Sequence, residues 1–262
     1  MKFDLKNKIA LITGATSGIG ASLAKLLISK YNCTVFAVGR NEQKANAIKQ
    51  ELGENGDKYI PIIADLSTEE GLNKVIQVGY FDVLFNNAGI MPPFCKTENQ
   101  SIETYEKVMY TNFFVPIKII DFVLKNNQIN PLGAIVNISS SDALCPIVGT
   151  SPYSASKAAL ASYSEVLSQE TSLTICTVYP GFTKTNLFTD ISFSDGLISK
   201  MASCPTKTAQ TIINALIKRK RRIIVGQDAK WMDFLYKIAP VKGPLLIKKI
   251  LKKSGKDAFN SL

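Results

Sequence analysis

The sequence predicts a doubly wound α/β domain, a single parallel sheet with helices on both faces. Two observations carry this prediction. Short β-branched apolar runs alternate with helix-period segments, and a glycine-rich turn joins the first run directly to the first helix. In chain order the runs cover residues 8–13, 33–38, 58–64, 82–86, 134–139, 173–179 and 223–225. Between the first two runs, residues 19–31 place Leu23, Leu26 and Leu27 on one helical face. Residues 41–54 open on the cap residue Asn41 and carry Ala45, Ile48 and Leu52 at helical spacing. Parallel strands need crossover connections, so this alternation calls for helices on both sides of the sheet. Pro131 with Gly133 reads as a turn into the fifth strand, and the polar stretch 186–205 as a mobile lid. The domain is expected to span residues 1–226, with an extension over 227–262 and neither a repeat nor a low-complexity linker.

With 46% apolar and 20% charged residues, the 262-residue chain has the composition of an ordinary globular protein. No stretch reaches the roughly 18 consecutive apolar residues of a spanning helix, and the start lacks the apolar segment of a signal peptide. Five cysteines without a C-x-x-C pair, and no histidine anywhere, argue against a metal site and remove Ser-His-Asp and Cys-His catalysis. Proton chemistry near neutral pH then falls to tyrosine, lysine, cysteine or carboxylate. Cys33 and Cys176 lie inside strand-like runs, where a thiol acts as a small hydrophobe, so reduced cysteines in a cytoplasmic protein are expected. The formal charge of +10 lies wholly in residues 218–262, which hold 13 basic and 3 acidic residues. A neutral body with a basic tail argues against a nucleic-acid partner.

Thr13-Gly14-Ala15-Thr16-Ser17-Gly18-Ile19-Gly20 separates the first strand from the first helix. A turn of this kind lets backbone N–H groups approach a pyrophosphate at the positive end of the helix, which a Cβ at the glycines would obstruct. It reads as dinucleotide binding or, more blandly, as a tight turn. The second strand ends at Val38-Gly39-Arg40, with no acid to accept bonds from ribose hydroxyls. The Arg40 guanidinium suits a 2′-phosphate and favours NADP(H) over NAD, unless it is simply an arginine on a solvated loop.

Tyr153 and Lys157 stand four residues apart in a helix expected to run to about Glu170. A positive charge about 4 Å from a phenol is worth roughly 4 kcal/mol at an effective dielectric near 20, about 3 pKa units toward a working acid or base. Ser140 follows the fifth strand, and Asn112 falls in a preceding helical segment. The glycine turn, Asn86 to Gly89, Ser140 and Pro180-Gly181 all follow strands, and so collect at the edge of the sheet where ligands of such folds bind.

With these motifs assembled, residues 5–226 resemble the classical short-chain dehydrogenase/reductase family, with its Rossmann-type sheet. The resemblance rests on residues 13–20, Asp65-Leu66, Asn86 to Gly89, Asn112, Ser140 with Tyr153 and Lys157, and Pro180-Gly181 followed by Thr183 and Thr185. It implies Tyr153 as general acid or base, Ser140 bonded to the substrate oxygen, Lys157 lowering the phenol pKa and holding the nicotinamide ribose, and Asn112 supporting a water. It further implies that Asp65 and Leu66 contact adenine, that Asn87, Ala88 and Gly89 flank the ribose, and that Thr183 and Thr185 orient the carboxamide. A homodimer or homotetramer is also implied. Of the three neighbouring serines, strand alternation puts Ser139 and Ser141 on the face opposite Ser140.

The implied activity interconverts a carbonyl and an alcohol. The alternative is a dinucleotide-binding sensor or scaffold that turns nothing over. Leu144, Ile147, Phe182, Leu187, Phe188 and Phe193 are the expected pocket walls and suit an apolar substrate. Lys218 to Arg222 reads as a solvated helix end, with acidic lipid or nucleic acid as the alternative partners of its charge. Near the C-terminus, Leu246, Ile247, Ile250 and Leu251 are expected on one side of a helix and Lys248, Lys249, Lys252 and Lys253 on the other. Such a helix suits packing on the body or on a partner subunit, or peripheral contact at the inner membrane surface.

Overall fold

Seven parallel strands form the sheet in a computed structural model that describes residues 2–187, 196–253 and 259. They are β1 (Ile9–Thr13), β2 (Thr34–Gly39), β3 (Tyr59–Ile63), β4 (Phe81–Asn86), β5 (Ile129–Ile138), β6 (Thr174–Pro180) and β7 (Arg222–Val225). Their order is β3-β2-β1-β4-β5-β6-β7, so the direction of winding reverses between β1 and β4, and a crevice opens there beyond the strand ends.

Alternation along each strand divides the core into two layers. Ala10, Ile12, Val35, Ala37, Val83 and Phe85 face α1 (Gly18–Tyr31), α2 (Glu42–Glu51) and α8 (Pro205–Ile217). On the other side, Leu11, Val38, Leu84 and Ile135 meet α3 (Glu69–Ile76), α5 (Val115–Lys125) and α6 (Ser151–Glu170). This two-sided burial is why the strands read as continuous apolar runs.

Two element boundaries differ from expectation. Helix α2 is capped by the Asn41 side chain, which accepts from Lys44 N at 2.8 Å, but it stops at Glu51 and gives way to a 3-10 turn beginning at Gly53, whose φ of +55° leaves the helical region. Strand β5 begins at Ile129 rather than after Gly133. Ile129 already pairs with Phe81 across a register shift, and Gly133 packs under the Asp82 carbonyl where a Cβ has no room. Within the anticipated lid, residues 188–195 lie outside the described residues. The rest of that stretch includes the short helix α7 (Gly196–Met201) and Ser203, which bridges to Thr183.

Beyond β7, α9 (Gln227–Ile238) and α10 (Lys242–Lys253) pack on the body through Met232, Ile247 and Leu251, against Cys145, Ile147 and Phe182. The expected apolar face of α10 is rotated. Gly243 packs against Leu235 and brings Gly243, Ile247 and Leu251 inward, which leaves Leu246 exposed. Within the basic run 218–222, Arg219 donates to Thr174 Oγ1 at 2.7 Å and Arg222 pairs with Asp233 at 2.7 Å, so two of those charges have fixed local partners.

Candidate active site

The glycine turn opens the crevice. Gly14 and Gly18 have φ of +68° and +54°, a backbone conformation that other residues adopt at a cost. Thr13, at the end of β1, holds the facing loop in place. Its hydroxyl accepts from Asn87 N and Ala88 N, both at 3.0 Å, while Asn87 Nδ2 donates to Thr13 O at 2.9 Å. The sequence reading included Thr13 in the motif without giving it this role. A hydroxyl just ahead of the glycine turn was the available signal.

One crevice of about 880 Å³ is lined by Gly14, Thr16, Ser17, Gly18, Ile19, Arg40, Asp65, Leu66, Asn87, Ala88, Gly89, Ser140, Tyr153, Lys157, Pro180, Gly181, Thr183 and Thr185. Two expected residues do not line it. Gly20 sits behind the turn, where a Cβ would run into the Gly14 carbonyl and the Asn87 amide, so its part is helix-to-turn packing. Asn112 also stands behind the wall, in a π-helical turn over Tyr110–Phe114, a feature found often at functional sites. Its Oδ1 accepts from Ile90 N at 2.8 Å, and its Nδ2 donates to Ile90 O at 2.9 Å and Ser156 Oγ at 3.0 Å. These bonds tie the Gly89–Ile90 loop to α6. The Asn112 amide oxygen and the Lys157 ammonium both face Gly89, each 3.2 Å from the position a Cβ there would take.

At the end of the crevice beside Arg40 the side chains are polar and wet. Arg40 is 71% exposed and lies 4.0 Å from Asp65. The Asp65 carboxyl accepts from Ser67 N and Ser67 Oγ, which hold it below the usual carboxylate range, with Arg40 adding to the effect. Lys44, on the first turn of α2, lines the same end beside Arg40 and Asn41. Sequence reasoning missed it, although its position three residues after a cap residue was legible. The open volume, the glycine cradle and this cationic end fit a dinucleotide.

The opposite end is dry. Lys157 is buried, and its ammonium donates to Ile138 O at 2.8 Å while lying 5.7 Å from the Tyr153 ring centre. Burial lowers its pKa to about 8. Ser139 donates to Lys157 O at 2.7 Å and so belongs to the scaffold. Strand β5 has ended at Ile138, so the alternation argument fails for Ser141, which enters a 3-10 turn with Asp142.

Asp142 begins a segment, 142–148, that the sequence places only as pocket wall, and its part in the site is larger. Its buried carboxylate accepts from Ser140 Oγ at 3.4 Å and Ser154 Oγ at 3.5 Å, while Ser140 Oγ accepts from Asp142 N at 3.2 Å. Burial raises its pKa to about 6. Beside it, the Tyr153 phenol is pushed up rather than down. Desolvation dominates and Asp142 adds to it, while a hydrogen bond with Ser140 opposes both. Lys157, with its ammonium 5.7 Å from the ring centre, is not among the groups that move this phenol, so the net shift in this structure runs opposite to the expected lowering.

The substrate end has two of the expected walls, Phe182 and Leu187, with Met91 added. Leu144 and Ile147 are buried in packing instead, the first against Tyr179 and the second in the cluster with Met232, while Phe188 and Phe193 fall outside the described residues. Asp228, near the start of α9, accepts from Phe182 N at 2.6 Å and fills the space where a Cβ of Gly181 would stand, anchoring the loop after β6.

Residues 8–195 match the family model described as short chain dehydrogenase. The chain is 31% identical over 189 residues to the 3-oxoacyl-[acyl-carrier-protein] reductase FabG of Vibrio harveyi, covering 70% of this chain and 77% of that one. It is 28% identical over 246 residues to a fatty acyl-CoA reductase of Acinetobacter baylyi, covering 90% and 82%. Among solved structures, the angucycline C-6 ketoreductase LanV with bound NADP superposes with a TM-score of 0.75 at 22% identity, over 84% of this chain and 95% of that one, a likeness of fold. The chain thus belongs to the short-chain dehydrogenase/reductase family and is an oxidoreductase.

Proposed function

We propose that the protein is an NADP(H)-dependent reductase that interconverts an apolar ketone or aldehyde and its alcohol. The observation that carries this reading is one crevice with a cationic end at Arg40 and Lys44 and a dry end where Ser140, Tyr153 and Lys157 converge. The names of a 3-oxoacyl-[acyl-carrier-protein] reductase and a fatty acyl-CoA reductase among the relatives, and of a ketoreductase seen with NADP, support the same reading.

A nicotinamide coenzyme, when bound, supplies or accepts the hydride. The chain's own residues manage the oxygen of the substrate. Ser140 Oγ turns its one proton from Asp142 Oδ1, a long 3.4 Å bond in this structure, to the carbonyl oxygen and polarises it. Tyr153 transfers its hydroxyl proton to that oxygen as negative charge develops there, and takes the proton back in the oxidation direction. A phenol whose pKa is raised by burial holds its proton at neutral pH, which suits the reductive direction. Lys157, held by Ile138 O, places a positive charge near the phenolate left after transfer. Phe182, Leu187 and Met91 give the substrate an apolar wall.

Five free thiols, three of them buried, support a cytoplasmic setting, and no described helix is long and apolar enough to cross a membrane. Exposed Phe114 and Val166, on contacting elements, support a homodimer or homotetramer, which light scattering measures. Calorimetric titration with NADPH and NADH tests the coenzyme: tighter NADPH is expected, and tighter NADH overturns the assignment to Arg40. Coenzyme binding without turnover of any carbonyl or alcohol would support the scaffold reading instead.

A further inference from the structure

The C-terminal helices bury one face on the body and leave another uncovered among the described residues. Trp231, Phe234 and Ile238 recur at i, i+3 and i+7, which places them along one stripe of α9. They are 41%, 59% and 63% exposed, and the apolar surface continues through the exposed Val241, Leu245 and Leu246 into α10. Single exposed apolar side chains are ordinary, whereas a run of six over sixteen residues is a patch.

The charge around the patch has one sign. Lys230, Lys237, Lys242, Lys249, Lys252 and Lys253 are all exposed. Residues 227–253 hold two acids, and both are occupied. Asp228 is buried under the Phe182 amide, and Asp233 is shared between Arg222 at 2.7 Å and Lys237 at 2.8 Å.

We propose that this outer face of α9 and α10 is a docking surface for an anionic lipid bilayer. An interface of acyl chains beneath phosphate headgroups takes both parts of the patch, with aromatic and aliphatic side chains entering the headgroup boundary while the lysines meet the phosphates. A second copy of the same face would set lysine against lysine. A nucleic acid would meet the lysines and leave the apolar stripe without an environment suited to it. The surface differs from the one the sequence pattern suggested, because Ile247 and Leu251 are committed to the core. It goes beyond the reductase reading and does not depend on it.

Trp231 is the chain's one tryptophan, so intrinsic fluorescence reports on this face. With the full-length protein, vesicles of phosphatidylcholine containing a minority of phosphatidylglycerol should shift the emission to the blue and carry the protein into the pellet. Added salt should reverse both effects, and phosphatidylcholine alone should produce neither. The double variants Phe234→Glu/Leu245→Glu and Lys249→Glu/Lys252→Glu change exposed side chains only. Each should lose at least tenfold in vesicle partitioning while keeping its circular dichroism and NADPH affinity. Absence of the shift, equal response to neutral vesicles, or undiminished binding by both variants overturns the proposal. So does a wild-type dimer that the Phe234→Glu/Leu245→Glu variant converts to monomer, which would assign the face to a second copy.

Discussion

The two ends of the crevice are built on opposite electrostatic principles. At the wet end, Arg40 and Asp65 stand in water 4.0 Å apart, where a pair of charges is worth about 0–1 kcal/mol and is screened by salt. At the dry end, Tyr153, Lys157 and Asp142 are buried, and desolvation displaces each pKa against the charged form. The wet end presents charges already in place and costs the fold little. The dry end holds the Tyr153 phenol protonated and leaves Asp142 and Lys157 closer to neutral pH than free groups of their kind, at a cost in stability.

The largest expected effect lies at the dry end. Tyr153→Phe should lower turnover by about 10²–10⁴, the usual contribution of a positioned acid or base, and leave NADPH affinity within a few-fold by calorimetry. Unchanged turnover would remove the proton-transfer role.

Asp142 gives the next effect. Its folded-state pKa of about 6 lies above the ordinary carboxyl value of 3.8, so between those values the native state holds a proton that the unfolded chain has released. The stability associated with that proton is fully present below the unfolded pKa and is lost as pH rises through about 6. A displacement of this size corresponds to something on the order of 3 kcal/mol. Asp142→Asn should therefore raise the Tm at pH 8 relative to wild type and change it little at pH 4. The same substitution removes a negative charge that disfavours the phenolate, so the alkaline limb of alcohol oxidation should move to lower pH. A Tm difference independent of pH would contradict the account of Asp142.

A smaller change is expected from the wet end. Arg40→Ala should weaken NADPH by about 10- to 100-fold, the scale of one or two bonds to a charged group, and leave NADH nearly unaffected. The smallest effect sharpens the contrast between the ends: raising ionic strength should weaken NADPH binding several-fold while the pH limb assigned to Tyr153 stays in place.

Much of this organisation was legible in the chain itself. β-Branched runs located the seven strands, and the spacing of Ser140, Tyr153 and Lys157 with the glycine turn located the crevice, because these depend on local periodicity and on where strands end. The sign of the Tyr153 shift was not legible. It depends on desolvation by segments far apart in the chain and on a carboxylate, Asp142, whose burial no local pattern reveals. The facing of α10 escaped for a similar reason. Its periodicity allowed more than one inward stripe, and the contact of Gly243 with Leu235 selected the one through Ile247 and Leu251. Asn112 matched a motif, yet its bonds to both backbone groups of Ile90 make it a strut between a loop and α6, an arrangement visible only in three dimensions.

The most direct test follows the absorbance of NADPH across a panel of apolar ketones and aldehydes, with wild type and Tyr153→Phe side by side. Consumption of NADPH by the wild type with at least one carbonyl, and its near-abolition in a variant that still binds NADPH, is the predicted result. Equal rates in the two proteins would contradict the claim that the buried phenol delivers the proton.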